Sequence, residues 1–176
     1  MNRLAKLAGL GLAAVLLQAL AQAIFPAWLR PDLVLVFALA VGMRGGTGGL
    51  LLAFGSGFVV DALSGSPPGL FALLRGTACA VTRAADHALY LRAALPWALY
   101  VLGYCVFDAV ALGLCHRFFL DGGSPPWTLI LTRLPGTALF TALVAGFLLP
   151  VFLRVDAEAG REQGLALAGR GSQAGS

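Results

Sequence analysis

The chain has 176 residues, 59% of them hydrophobic and 11% charged, with a mean hydropathy of +0.87 and a formal net charge of +4. Counting Gly in place of Tyr gives roughly 70% apolar residues, against about 45–50% for a soluble domain, and a folded monomer of this mass would expose on the order of 8,000 Å². Its charged residues cannot cover that surface, so a water-soluble globule is excluded, and high hydrophobicity with low charge excludes intrinsic disorder.

A bilayer core about 30 Å thick requires about 20 mostly apolar residues per spanning helix. In chain order the sequence offers six candidates, at about residues 7–25, 31–45, 48–63, 69–83, 93–119 and 127–153. The first stops at Pro26. The second opens at Pro31, a residue favoured at the first helical position. The turn from Arg44 to Gly49 separates it from the third, because a single helix over residues 33–63 would be about 46 Å long. These spans make one all-helical membrane domain, residues 1–153, followed by a Gly-, Ser- and charge-rich tail, residues 154–176, expected to be disordered.

Cytoplasmic loops carry an excess of Lys and Arg. With the N-terminus inside and six spans, the inner side receives Arg3, Lys6, Arg44, Arg83, Arg92, Arg154, Arg161 and Arg170, and the outer side only Arg30 and Arg117. Both termini are therefore expected in the cytoplasm. Trp28 and Trp127 fall near the outer interface and Trp97 near the inner one, where aromatic belts form. Arg3 and Lys6 ahead of an apolar run ending in Ala21-Gln22-Ala23 also fit a signal peptide, so retention of residues 1–23 stays open. The length of that run and the five spans after it favour a retained helix.

Four ionisable residues fall inside apolar spans: Asp61, Arg75, Asp108 and Arg133. A charge at mid-membrane costs about 2.5–3.5 kcal/mol, whereas each large apolar residue contributes only about 0.3–0.6. Such residues need partners. Matching depths on consecutive antiparallel spans predict two intramembrane ion pairs, Asp61 with Arg75 and Asp108 with Arg133. These pairs can fix helix register, line a substrate or proton pathway, or bind a partner.

The most informative stretch runs from Gly55 to Leu70. Gly55, Ser56 and Gly57 permit close helix approach, Asp61 and Ser64 can bond exposed backbone at a helix end, and Ser66-Pro67-Pro68-Gly69 forces a turn. Arg30-Pro31-Asp32-Leu33 opening an apolar segment, the Gly-rich turn after Gly42, and Gly57-x3-Asp61-Ala62-Leu63-Ser64-Gly65-Ser66-Pro67-Pro68-Gly69-Leu70 together resemble the rod shape-determining protein MreD family over about residues 4–153. The resemblance implies a bundle like the substrate-binding component of ECF transporters. It also implies a noncatalytic role in bacterial cell-wall elongation at the inner membrane, with MreC, the MreB filament, RodA and its transpeptidase as partners. Carried onto this chain, it makes Asp61, Ser64, Gly65, Pro67 and Gly69 the hairpin and partner-binding candidates, with Arg75 in support and Asp32 at the outer end of the second span. The shared architecture also suggests an alternative, the substrate-binding subunit of a vitamin transporter.

Other motifs point to no chemistry. Gly45-Gly46-Thr47-Gly48-Gly49 lacks the Gly-Lys-Ser/Thr ending of a phosphate-binding loop. His87, His116 and Cys115 lack the spaced partners of a zinc site, and no His lies at the depth of Ser56, Ser64 or Ser66 to activate a nucleophile. Cys79, Cys105 and Cys115 are an odd number within apolar runs. The expectation is no catalysis, no cofactor, no metal and no nucleic acid, with membrane lipid as the surroundings.

Overall fold

The computed structural model describes residues 3–44, 46–64, 66–88, 93–119, 134–148, 150–152 and 154. The described residues form helices and no strands: α1 (Arg3–Ile24), a 3-10 turn (Ala27–Leu29), α2 (Leu33–Arg44), α3 (Gly46–Ser64), α4 (Leu70–Ala88) and α5 (Ala94–Phe119), then α6 (Leu134–Phe152). Three stretches are long and apolar enough to cross a membrane, Leu4–Ile24, Ala94–Cys115 and Leu134–Phe152, and Gly48–Ser64 is a shorter apolar helix. The tail from residue 155, Trp127 and Arg133 lie outside the described residues.

The distribution of polarity is that of a membrane protein. Leu12, Leu16 and Leu20 on α1, Leu99 and Phe107 on α5, and Leu139, Leu143 and Phe147 on α6 are all exposed, while Asp61, Arg75, Thr82, Asp108 and Thr141 are buried. Apolar rows that face outward make sense against acyl chains and would be an aggregation hazard in water.

At the centre is α2. Its residues from Leu33 to Val41 are apolar on every side, so no face of the helix prefers a polar environment, and Val34 to Val41 are all buried. It packs against α1, α3 and α4, and its Leu35, Val36 and Leu39 share a core with Trp97 and Val101 of α5 and Ala138 and Ala145 of α6. Its 12 residues span only about 18 Å.

Two expectations are corrected here. Pro31 is not the first helical residue: Val36 N donates to Asp32 O at 3.1 Å as the first intrahelical bond, and Asp32 Oδ1 accepts from Leu35 N at 2.8 Å, so Asp32 is the N-cap. Trp97 is not at a lipid interface. It is wholly buried, because its indole N–H has an acceptor inside the bundle, Ala145 O of α6 at 3.0 Å, and a satisfied indole loses nothing by leaving the headgroup region.

Candidate functional site

The sequence motif around Asp61 folds into a hairpin whose second helix is capped by the first. Gly69 occupies the N-cap position of α4, since Leu73 N donates to Gly69 O at 2.9 Å. Its φ of +97° suits a residue without Cβ, yet a residue without a side chain has no oxygen with which to cap its own helix. Asp61, from the last turn of α3, supplies one. Its Oδ2 accepts from Gly69 N and Ala72 N, both at 3.1 Å, and its Oδ1 from Phe71 N at 2.9 Å and Ser66 Oγ at 2.9 Å. The remaining first-turn donor, Leu70 N, reaches Pro67 O at 3.2 Å. Every orphan N–H at the start of α4 is thus satisfied, and the carboxylate also meets the positive end of the helix dipole.

This cap requires close helix approach, which Gly57 permits. A Cβ there would lie 2.5 Å from Phe71 O and 2.7 Å from Ala72 Cα, backbone that cannot turn aside. Gly57 is one helical turn before Asp61, so the same face that lets α4 approach also carries the carboxylate. Ser64 donates to Ser66 Oγ at 3.0 Å, which links it to Asp61. Pro67 is exposed at the turn, and Gly65 lies outside the described residues.

The expected ion pairs are overturned. Asp61 makes no ion pair with Arg75, because its two oxygens are taken up by the α4 backbone and Ser66. Arg75 turns inward instead: NH2 meets Asp32 Oδ2 at 2.6 Å and NH1 meets Asp108 Oδ1 at 3.1 Å. Its guanidinium carbon lies 5.7 Å from the Phe71 ring centroid, within cation–π range. Asp108 therefore has Arg75 as its partner, and its expected partner Arg133 lies outside the described residues.

The Arg75 cluster joins most of the bundle. Asp32 is at once the N-cap of α2 and a counter-ion of α4, Asp108 comes from α5, and Asp32 N donates to Thr141 Oγ1 of α6 at 3.0 Å. Gln18 of α1 completes the α2 terminus by accepting from Leu33 N at 2.7 Å. Gln18 and Thr141 were not among the residues singled out from the sequence, and Ser66 was read only as part of the turn and as an unactivated serine. Gln18 and Thr141 carried a signal, as hydrogen-bonding side chains within largely apolar spans.

On its other side Thr82 shares a hydrogen bond with Tyr100 (3.0 Å), and Trp97, Tyr100, Tyr104 and Phe107 run along α5 as successive ring contacts. Among the described residues no group of three His, Cys, Asp or Glu side chains is placed to hold a metal ion. The arrangement binds helices to one another: three carboxylates, one guanidinium and two capped helix starts, each bonded to another part of the chain. Comparison with protein-family models, curated proteins and solved structures finds no match.

Proposed function

We propose that this chain is a noncatalytic, MreD-like scaffold of the bacterial cell-wall elongation machinery, crossing the inner membrane six times with both termini in the cytoplasm. In this reading it maintains rod shape by holding MreC and, with it, RodA and its transpeptidase in register with the MreB filament. The observation that carries the reading is the use of Asp61. The carboxylate at the centre of the family-like motif is spent on locking α3 to α4, which leaves a rigid hairpin with Pro67 and Pro68 exposed at its tip. Such a part acts by shape and binding energy rather than by bond making. A preformed turn loses little conformational entropy when a partner docks.

The transporter alternative requires a pocket for a vitamin-sized ligand, about 300–1,000 Å³ with aromatic walls. The polar cavity beside Asp32 has about 230 Å³ and no aromatic side chain among the described residues of its wall, which favours the scaffold.

The test uses the full chain, tagged and expressed at native level. Copurification of the elongation proteins from detergent, with rounding of cells on depletion, is the expected result. Asp61→Leu, which makes α3 more apolar, should enter the membrane at the wild-type amount and lose the partners. Depleted cells that keep their rod shape, with no wall-synthesis protein copurifying, overturn the proposal.

A further inference from the structure

The start of α2 is sunk below the end of the bundle. Leu33 N bonds Gln18, six residues before α1 ends, Asp32 bonds Arg75, five residues into α4, and Asp32 N bonds Thr141, seven residues past Leu134. At 1.5 Å per residue the Gln18 and Arg75 contacts place the α2 terminus about 8–9 Å inside. The coil between α1 and α2 therefore re-enters the bundle. At membrane depth, backbone outside a helix persists only where it is buried in protein or lines water.

Beside this coil lies the 230 Å³ cavity, walled by Gln18, Arg30, Asp32, Cys105, Asp108 and Thr141 among others. The Asp32 side chain is 33% exposed. A carboxylate facing acyl chains would cost several kcal/mol, so its open face needs water. Behind that wall two buried atoms have no hydrogen-bond partner, Arg75 Nε and the Tyr104 hydroxyl, although neither residue lines the cavity itself. Arg75 is bonded to both acids of the cavity wall, and Tyr104 is one helical turn from Asp108. Polar atoms that protein leaves unsatisfied are commonly served by internal water. Beyond the cluster the route closes: Ala38, Leu39, Ala78, Trp97 and Val101 are apolar and fully buried.

We propose that this cavity is a water-filled vestibule, entered from the membrane side opposite the N-terminus and ending at the Arg75 cluster. Its volume holds about seven waters, at about 30 Å³ each, so it admits water and small polar solutes. It makes the cluster an aqueous dead end rather than a channel. This holds whether or not the chain is a scaffold of the elongation machinery.

Cys105 and Cys79 are both buried, at 8% and 2% exposure, but only Cys105 reaches the vestibule wall, so the wild-type chain is its own reporter. A membrane-impermeant methanethiosulfonate transfers its thioalkyl group to a thiolate and releases methanesulfinate. It is applied to sealed vesicles of each orientation, and labelling is read by peptide mass spectrometry. Cys105 should react from the side opposite the N-terminus at least tenfold faster than from the other, and at least tenfold faster than Cys79. Ala109→Phe, which fills the vestibule from its wall, should slow Cys105 tenfold. Cys105 that is inert from both sides yet labels once the protein is denatured, or that labels equally from both, overturns the proposal. Should the filled variant fail to insert, the sidedness in the wild-type chain still decides.

Discussion

The carboxylate of Asp61 finds all its partners within eleven residues of chain, whereas the guanidinium of Arg75 reaches partners 33 and 43 residues away. Both solve the same problem, a polar group that cannot be left facing hydrocarbon. The hairpin solves it with backbone donors that arrive automatically once α4 begins beside α3. The Arg75 cluster solves it only when three helices have docked. The first should therefore behave as a local unit, and the second as a lock on the assembled bundle.

That contrast is open to attack by substitution, with stability read from thermal unfolding in detergent. Arg75→Met should have the largest effect, about 3–5 kcal/mol, because it leaves Asp32 and Asp108 close together without their cation. Arg75→Lys should recover only part of the loss, since a compact ammonium does not present the forked donors that meet two carboxylates. A Met variant that unfolds at the wild-type temperature would show that the cluster locks nothing.

Asp61→Leu should cost about 2 kcal/mol, in the upper range of a lost N-cap, with Asp61→Asn falling between the two because it keeps one acceptor. In combination with Arg75→Met the losses should add to within about 1 kcal/mol, the residual coupling passing through Phe71, whose N–H bonds Asp61 and whose ring meets Arg75. A coupling well above that value would restore the Asp61–Arg75 pair.

Two glycines of α3 test the seating of the cap through packing alone. Gly57→Ala forces a Cβ into the α4 backbone and should cost about 1–3 kcal/mol, as overpacking does. Gly55, where an added Cβ meets nothing within 4 Å, should tolerate Ala, with a gain of up to about 1 kcal/mol from helix propensity. Equal behaviour at the two positions would mean that close approach at Gly57 is not what seats the cap.

The hairpin was legible because its information is local. Gly57, Asp61, the two prolines and Gly69 stand at spacings that require one helix to end, a turn to form and another helix to start, and the structure adds only which atoms meet. The pairing of Arg75 was not legible in the same way. Depth counting set Asp61 beside Arg75, but depth says nothing of the direction in which a side chain leaves its helix. Nor does it weigh the free N–H groups of α4, which compete for the carboxylate and are nearer. The role of Asp32 was hidden for a related reason. Pro31 invites a helix start, and only the bonds to Leu35 and Val36 show that the helix begins beyond Asp32.

Composition alone determined that the exterior must be apolar and that any ionised interior group must find a partner, because those demands follow from solvation and hold for every arrangement of the helices. The spacing of Pro, Gly and Asp in the α3–α4 turn determined the hairpin, because hydrogen bonds across so few residues need no other part of the chain. Which charges meet, how deep the start of α2 sits and where a polar cavity remains were decided only by the packing of α1, α2, α4, α5 and α6. Those outcomes depend on the relative rotation and height of helices distant in sequence, and no local pattern encodes either.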